Sequence, residues 1–378
     1  MDFNYSEEQQ MLADTLARFV ADAYPLATRR KLAASQVGFS LDYWQQFADL
    51  GLLGLTVPEQ YGGLDGAPAD TLIVMQAFGR GLVLEPYVST AVLGVALLSA
   101  AGTEQQKSQW LPAIAAGSKR LALAALEPEA RFDLWHASTS AERIADVHVL
   151  NGRKSVVLHG DSADALIVSA RTSGAECDHE GITLFVVDAK ATGVEVKGFA
   201  NIDGQRSAEV TLSNVVVGAD AVIGGVDDGY ELLEFAVDTG IAALCAEAVG
   251  CMEKLLEITA EYLRTRTQFG RAIGTFQALQ HRVADMAIAI EQARSAAYLA
   301  AARVQEPNAL ERRKAVSAAK ALVGRSGRYI GQQAVQLHGG MGMTDELAVG
   351  HYFKRLTCID MTWGNSEHHT ERYAEASL

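Results

Sequence analysis

Apolar positions change their spacing twice along the chain. In the first third they recur every three to four residues. Ser6 with Gln9 three places on has the form of a capping box, and Leu12, Leu16, Phe19 and Val20 then fall on one helical face. A second helix is expected over 43–50, closed by Gly51 and followed after Pro58 by the turn-forming run Glu59-Gln60-Tyr61-Gly62-Gly63. Further helices are expected over 68–78, 88–101 and 103–116, the last stopping at Gly117. From about Arg120 the apolar runs shorten, become β-branched and alternate with turn residues, over 121–126, 147–150, 155–158, 165–170, 182–187, 194–196 and 208–217. Asn151-Gly152 between two of these runs predicts a hairpin turn. The helical period returns at Tyr230, with runs over 230–264, 276–304, 309–337 and 345–360 that suit a four-helix bundle with short connections. The pattern therefore predicts an α+β chain with three domains. These are an N-terminal α-helical domain over 1–119, a middle antiparallel β domain over 120–225 and a C-terminal four-helix bundle over 226–378.

Composition narrows the function. The 378 residues carry 46 Asp and Glu against 32 Lys and Arg, a formal net charge of −14, which argues against a nucleic-acid binder. No run approaches the roughly 18 apolar residues of a membrane span. The first 24 residues carry acids and amphipathic spacing where a signal peptide would have a basic and then an apolar region, so a cytoplasmic protein is expected. Cys177, Cys245, Cys251 and Cys358 lie too far apart for a CxxC pair, and we expect buried thiols with neither a disulfide framework nor a metal site. The β block contains no GxGxxG and no Walker sequence.

Two stretches carry chemistry. In Arg266-Thr-Gln-Phe269-Gly270-Arg-Ala-Ile273-Gly274-Thr-Phe276-Gln277, a guanidinium and a carboxamide sit near a helix start, and both suit a pyrophosphate or a nucleotide sugar. In Gln336-Leu-His338-Gly339-Gly340-Met-Gly342 a long helix ends in glycines that admit a ligand close to the backbone. On residue chemistry alone the first is equally a charged interhelical loop and the second a glycine C-cap.

Together with Gly51-Leu-Leu-Gly-Leu-Thr-Val-Pro58-Glu-Gln-Tyr-Gly-Gly63, these stretches resemble the acyl-CoA dehydrogenase family, in the family's order and over nearly the whole chain. The resemblance implies a helical, β-barrel, four-helix-bundle plan, FAD as cofactor, and dehydrogenation of an acyl-CoA thioester between its α and β carbons. It further implies a tetramer and an electron-transfer flavoprotein as electron acceptor. By the same resemblance Arg266, Phe269, Gln277, Gln336, Gly339 and Gly340 hold the ADP half of a flavin that sits mainly in the neighbouring subunit.

The reaction needs a carboxylate base facing the flavin across the substrate, with donors for the enolate-like oxygen. The family position for that base falls here on Trp363 or Gly364, and the alternative position, on the first bundle helix, falls on Gly240. Asp238, Glu247 and Glu367 are the nearby acids that could act as a displaced base. Two of them have a stated structural alternative: Asp238 as a solvated helix acid, Glu247 as a buried partner for an arginine. Where the family offers a threonine before Glu-Pro and later a tryptophan and threonine beside the flavin ring, this chain has Leu126 and Val156-Val157-Leu158. Adjacent His368 and His369 point about 100° apart on a helix, which disfavours a shared metal. The expectation is the less catalytic subunit of a heteromeric α2β2 acyl-CoA dehydrogenase beside a paralogous partner, of the kind that acts on CoA thioesters of steroid side chains or of dicarboxylic acids such as pimelate. The alternatives are a self-sufficient homotetramer with a displaced base and a non-enzymatic scaffold.

Overall fold

Ser6 caps the first helix as its spacing predicts: its hydroxyl accepts from the Gln9 amide at 3.1 Å and the Gln9 carboxamide oxygen accepts from the Ser6 amide at 3.2 Å. The computed structural model describes residues 5–378, which divide into two compact units. Among the described residues the first comprises 5–31, 68–83 and 241–378. Its helices are α1 (Glu7–Ala23), α2 (Leu26–Ala33) and, from the unit's second segment, the helix Pro68–Gly81. The remainder of the first unit is the bundle, formed by most of the helix Tyr230–Thr265 followed by Gln277–Arg303, Ala309–His338, Ala348–Met361 and Ser366–Glu375. With a third helix, α3 (Leu41–Asp49), and two more, α5 (Val95–Ala101) and α6 (Glu104–Ala115), in the second unit, these are in chain order α4 and α7 to α11. The expected bundle runs match α7 to α10 closely. The short α11 follows Asn365, whose side chain accepts from the His368 amide as an N-cap.

Two glycines set the crossing of α4 and α7. A Cβ on Gly79 would lie 1.9 Å from the Glu247 carbonyl oxygen, and one on Gly250 would lie 1.9 Å from that of Gln76. The backbones therefore touch, and the Cys251 thiol donates to the Gly79 carbonyl at 3.2 Å.

The second unit, residues 32–67 and 84–240, is built on a sheet. Its strands are β1 (Leu121–Ala124), β2 (Ser140–Ile144), β3 (Val147–Leu158), β4 (Ala165–Arg171), β5 (Ile182–Asp188), β6 (Val194–Ala200), β7 (Arg206–Gly218) and β8 (Val222–Ile223). They run in the order β6-β7-β3-β2-β4-β5-β8, largely antiparallel, with β1 pairing β4 in parallel. Leu150, Val157, Leu166, Val168, Phe185, Val210 and Val215 form its apolar core. Helix α6 is tied to this sheet by the Gln106 carboxamide, which donates to the carbonyls of Asp220 and Val222.

Two sequence expectations are corrected here. Asn151-Gly152 is not a hairpin: β3 runs straight through it, with a register shift against β7 between Leu150 and Gly152, and the Asn151 side chain accepts from the Asn214 amide. Gly152 is needed for closeness, because a Cβ there would come within 2.4 Å of the Thr139 hydroxyl. The real two-residue turn, Ala145-Asp146, follows a strand that periodicity missed, since β2 is exposed at four of its five positions. The expectation of buried thiols holds for Cys245 and Cys251 but not for Cys177, which is exposed in the polar loop after β4. Among the described residues no helix is long and apolar enough to cross a membrane and no cluster of His, Cys, Asp and Glu could hold a metal.

Candidate functional site

In the first unit the two glycine-containing stretches are brought together by the ends of α7 and α9. The Tyr262 ring stacks on His338 with centroids 4.3 Å apart, and its hydroxyl donates to the His338 carbonyl at 3.4 Å. Burial of His338 lowers its imidazole pKa, and Nδ1 faces the Ala334 carbonyl at 2.8 Å, so a neutral ring donating there fits the site. One turn beyond Tyr262 the chain leaves the helix at Arg266 and folds into a small ribbon in which Thr267–Gln268 pairs with Arg271–Ala272. Phe269 sits at its tip with φ 53° and is 90% exposed. Phe276 meets it edge-on at 6.1 Å, and the Arg271 guanidinium lies 4.1 Å from the Phe276 ring centre. Gln277 opens α8, and Gln336 lies in the last turn of α9, both exposed.

The ADP half of FAD can be tested against this geometry. Gly339 (φ 60°) and Gly340 have nothing within 4 Å of where a Cβ would stand, so side chains there would fill an open cradle. Arg266, Gln277 and Gln336 offer a cation and two carboxamides, all exposed in this chain. The chemistry of those residues fits the anionic ADP half of a dinucleotide.

Trp363 and Gly364, which the resemblance aligns with the base, lie in the connector between α10 and α11. Trp363 is 8% exposed with φ 52°, and Gly364 follows at φ 111°. Lys320, a lysine on the apolar face of α9, is fully buried and donates to the carbonyls of Asp360 (2.9 Å), Thr362 (2.9 Å) and Gly364 (2.7 Å). His369 Nε2 lies 3.0 Å from the Trp363 carbonyl, with Nδ1 3.3 Å from the Ser317 hydroxyl. Burial pushes the Lys320 amine down to about 8 and the His369 ring well below its ordinary value. This clamp was missed in the sequence, where the one available signal was a lysine set among Ala and Val in Ser317-Ala-Ala-Lys320-Ala.

The three candidate acids are not brought together. Glu247 is buried and held by a bidentate pair with Arg355, at 2.6 and 2.7 Å, which is the structural role considered for it. Glu367 is largely exposed, 3.8 Å from Arg328. Asp238, in the part of α7 assigned to the second unit, is fully buried, which corrects the reading of it as a solvated helix acid.

Also in the second unit, Leu126 lies beside β3, its carbonyl accepting from the Ser155 amide at 2.8 Å. Val157 points into the core, while Val156 is half exposed with φ 51°. Side-chain donors for a flavin ring are therefore absent at these positions. Next to Leu126, Glu127 forms a buried pair with Lys154 at 2.6 Å and accepts from Ser138 and Thr139. Burial raises the Glu127 carboxyl, but the Lys154 ammonium and these hydrogen bonds outweigh it and hold the group down to about 2. The loop 129–136 folds onto the strand β4 and the loop that follows it: Trp135 stacks on His179 at 4.9 Å, and Arg171 donates to the carbonyls of Trp135, Glu176 and Asp178. Trp135 is thus a packing residue.

Comparison with known proteins completes these observations. Family models for the N-terminal, middle and C-terminal domains of acyl-CoA dehydrogenase match residues 6–118, 122–215 and 227–378. The caffeyl-CoA reductase-Etf complex subunit CarC of Acetobacterium woodii is 29% identical over 370 residues, covering 96% of each chain. Among solved structures, the ChsE4-ChsE5 complex from Mycobacterium tuberculosis superposes with a TM-score of 0.90 at 27% identity, covering 99% of this chain and 98% of that one. Butyryl-CoA dehydrogenase from Megasphaera elsdenii gives 0.91 at 25% identity over the full length of both.

Proposed function

This chain belongs to the acyl-CoA dehydrogenase family, FAD-dependent oxidoreductases of acyl-CoA thioesters, and from that premise we propose that it is the flavin-ADP-binding, catalytically degenerate subunit of a heteromeric member. The observation that carries this reading is Trp363. A base must present an ionisable group to the substrate α proton, and an indole has none at any accessible pH. At the alternative position Gly240 has no side chain, Glu247 is committed to Arg355, and Glu367 is at the surface.

FAD held by these residues would supply a hydride acceptor for oxidation at the β carbon. This chain's own part is binding: Arg266 places a fixed positive charge against a pyrophosphate, Gln277 and Gln336 supply carboxamide hydrogen bonds, and Gly339 and Gly340 let the dinucleotide reach the backbone. The exposure of these groups supports a cofactor completed by a second subunit. A heterotetramer with a paralogous partner fits, since the ChsE4-ChsE5 neighbour is itself a complex of two differently named subunits. An electron-transferring flavoprotein is the proposed acceptor, supported by the CarC relative, a subunit of a reductase-Etf complex. A bulky or dicarboxylic acyl group is the proposed substrate class, by analogy with heteromeric relatives.

A second reading keeps one specific support. Asp238 is fully buried two residues before Gly240, where a displaced base would have to lie if the chain were a self-sufficient homotetramer. Visible spectra and acyl-CoA turnover of the chain purified alone and with its paralogue separate the two. We expect turnover only in the co-purified assembly; a yellow homotetramer that dehydrogenates acyl-CoA would contradict the heteromeric reading. A co-purified assembly without flavin would point to a scaffold.

A further inference from the structure

Tyr262 and His338 are 76 residues apart in the chain, yet their rings stack. Each is joined through the backbone to one of the two nucleotide stretches. On the α7 side the Tyr262 carbonyl accepts from the Arg266 amide at 2.8 Å, and the Arg266 carbonyl accepts from the Ile273 amide at 2.9 Å, which closes the ribbon. The return of the ribbon lies against the helix, because a Cβ on Gly274 would stand 2.9 Å from the Leu263 carbonyl oxygen. On the α9 side His338 directly precedes Gly339. A Cβ on Gly342 would stand 2.7 Å from the Val335 carbonyl oxygen and 3.1 Å from the His338 Cβ, so the cradle loop folds back on the last turn of its own helix. A shift of either stretch therefore moves its ring.

The contact between the rings fixes both distance and rotation. The centroids are 4.3 Å apart with the planes 26° from parallel, and the Tyr262 hydroxyl donates to the His338 carbonyl. His338 is buried, and its own rotation is set by Nδ1 against the Ala334 carbonyl at 2.8 Å. A cation on one helix end and a glycine cradle on another must meet a single nucleotide. If their spacing were set only when it bound, the cost of ordering them would be subtracted from the affinity.

We infer that the Tyr262–His338 stack is a positioning pair for the cofactor: it sets the spacing of Arg266 from the Gly339-Gly340 cradle before the nucleotide arrives, and so sets how tightly this chain holds the ADP half of FAD. The inference rests on the reading of this chain as the ADP-binding subunit and deepens it, adding two residues that act through Arg266 and the glycines.

The test is the FAD dissociation constant of the flavin-loaded assembly, read from the recovery of flavin fluorescence on serial dilution. Tyr262→Phe and His338→Phe keep two stacked rings and should hold FAD as the wild type does. Tyr262→Leu and His338→Leu remove the stack, and each should weaken FAD binding about three- to tenfold, the worth of an aromatic pair. The double Leu variant should lose no more than either single one, because both remove the same contact. Leu variants that hold FAD as the wild type does overturn the inference. So do Phe variants that weaken binding as much as the Leu ones, and so does full additivity in the double variant, since loss of packing alone would produce either result. Where one Leu chain fails to assemble, the other position carries the same contrast. Arg266→Ala separates the inference from the reading beneath it: unchanged FAD binding there means that this chain does not hold the ADP half. Weakened binding in Arg266→Ala beside unaffected Leu variants sinks only the positioning role.

Discussion

Buried charge is costly unless it is matched, and the single residues of this chain show matching of different quality. Glu127 is well matched by Lys154, Ser138 and Thr139, so its carboxyl lies below its unfolded value. Its contribution to stability is present above about pH 4.5 and is lost as the pH falls toward about 2. Glu85 is the opposite case. It is 4% exposed and accepts from the Ser40 amide at 3.1 Å, yet burial dominates and pushes its carboxyl up to about 7. The folded state then prefers the protonated acid. The associated stability is full below about pH 4.5 and is lost as the pH rises through about 7. Glu85→Gln should remove this decline. Denaturant midpoints at about pH 5 and about pH 8 should differ less in the variant than in the wild type, by the equivalent of about 3 kcal/mol. An undiminished pH dependence would show that Glu85 is ionised in the native state at no cost. Neither glutamate could be ranked from its place in the sequence, because Glu127 and Glu85 stand next to the same residue, proline, and differ only in what folds around them.

At the scale of elements, what the sequence made legible depended on burial of one face. The bundle helices α7 to α10 were readable because each buries a stripe of apolar residues at helical spacing. Strand β2, Ser140–Ile144, buries only Ala141 and so offers no alternation to read. Asn151-Gly152 misled because the local signal for a turn is the same dipeptide that serves a bulge, and long-range pairing with β7 decided between them. The α4–α7 crossing was not legible, because its cause is the backbone contact that Gly250 and Gly79 permit only once the two helices meet. Gly250→Ala would drive a methyl into the Gln76 carbonyl. It should lower stability by roughly 2–3 kcal/mol, read as a fall in the denaturant midpoint with an unchanged slope. A neutral substitution would mean that the helices separate freely.

At the scale of the whole molecule, the net charge of −14 coexists with a local cationic and amide-rich surface at Arg266, Gln277, Gln336 and the Gly339-Gly340 cradle. Sequence motifs singled out those residues as the proposed dinucleotide contacts, because such contacts rely on a few residues at fixed spacing. The clamp around Trp363 was not legible, since Lys320 lies 40 residues before Asp360, and His369, six residues after Trp363, reads as an ordinary helix position until the fold joins them. Nor could spacing alone dispose of Glu247, whose partner Arg355 lies 108 residues away. What unites these features is a chain with the family's frame, for which we propose retained dinucleotide contacts and no carboxylate at the position of the base. The most direct check is anaerobic mixing of saturating acyl-CoA with the flavin-loaded assembly, carrying either wild-type or Asp238→Asn copies of this chain, while the flavin absorbance is followed. The account predicts equally rapid bleaching in both; bleaching that is abolished by Asp238→Asn would contradict it and make Asp238 the base.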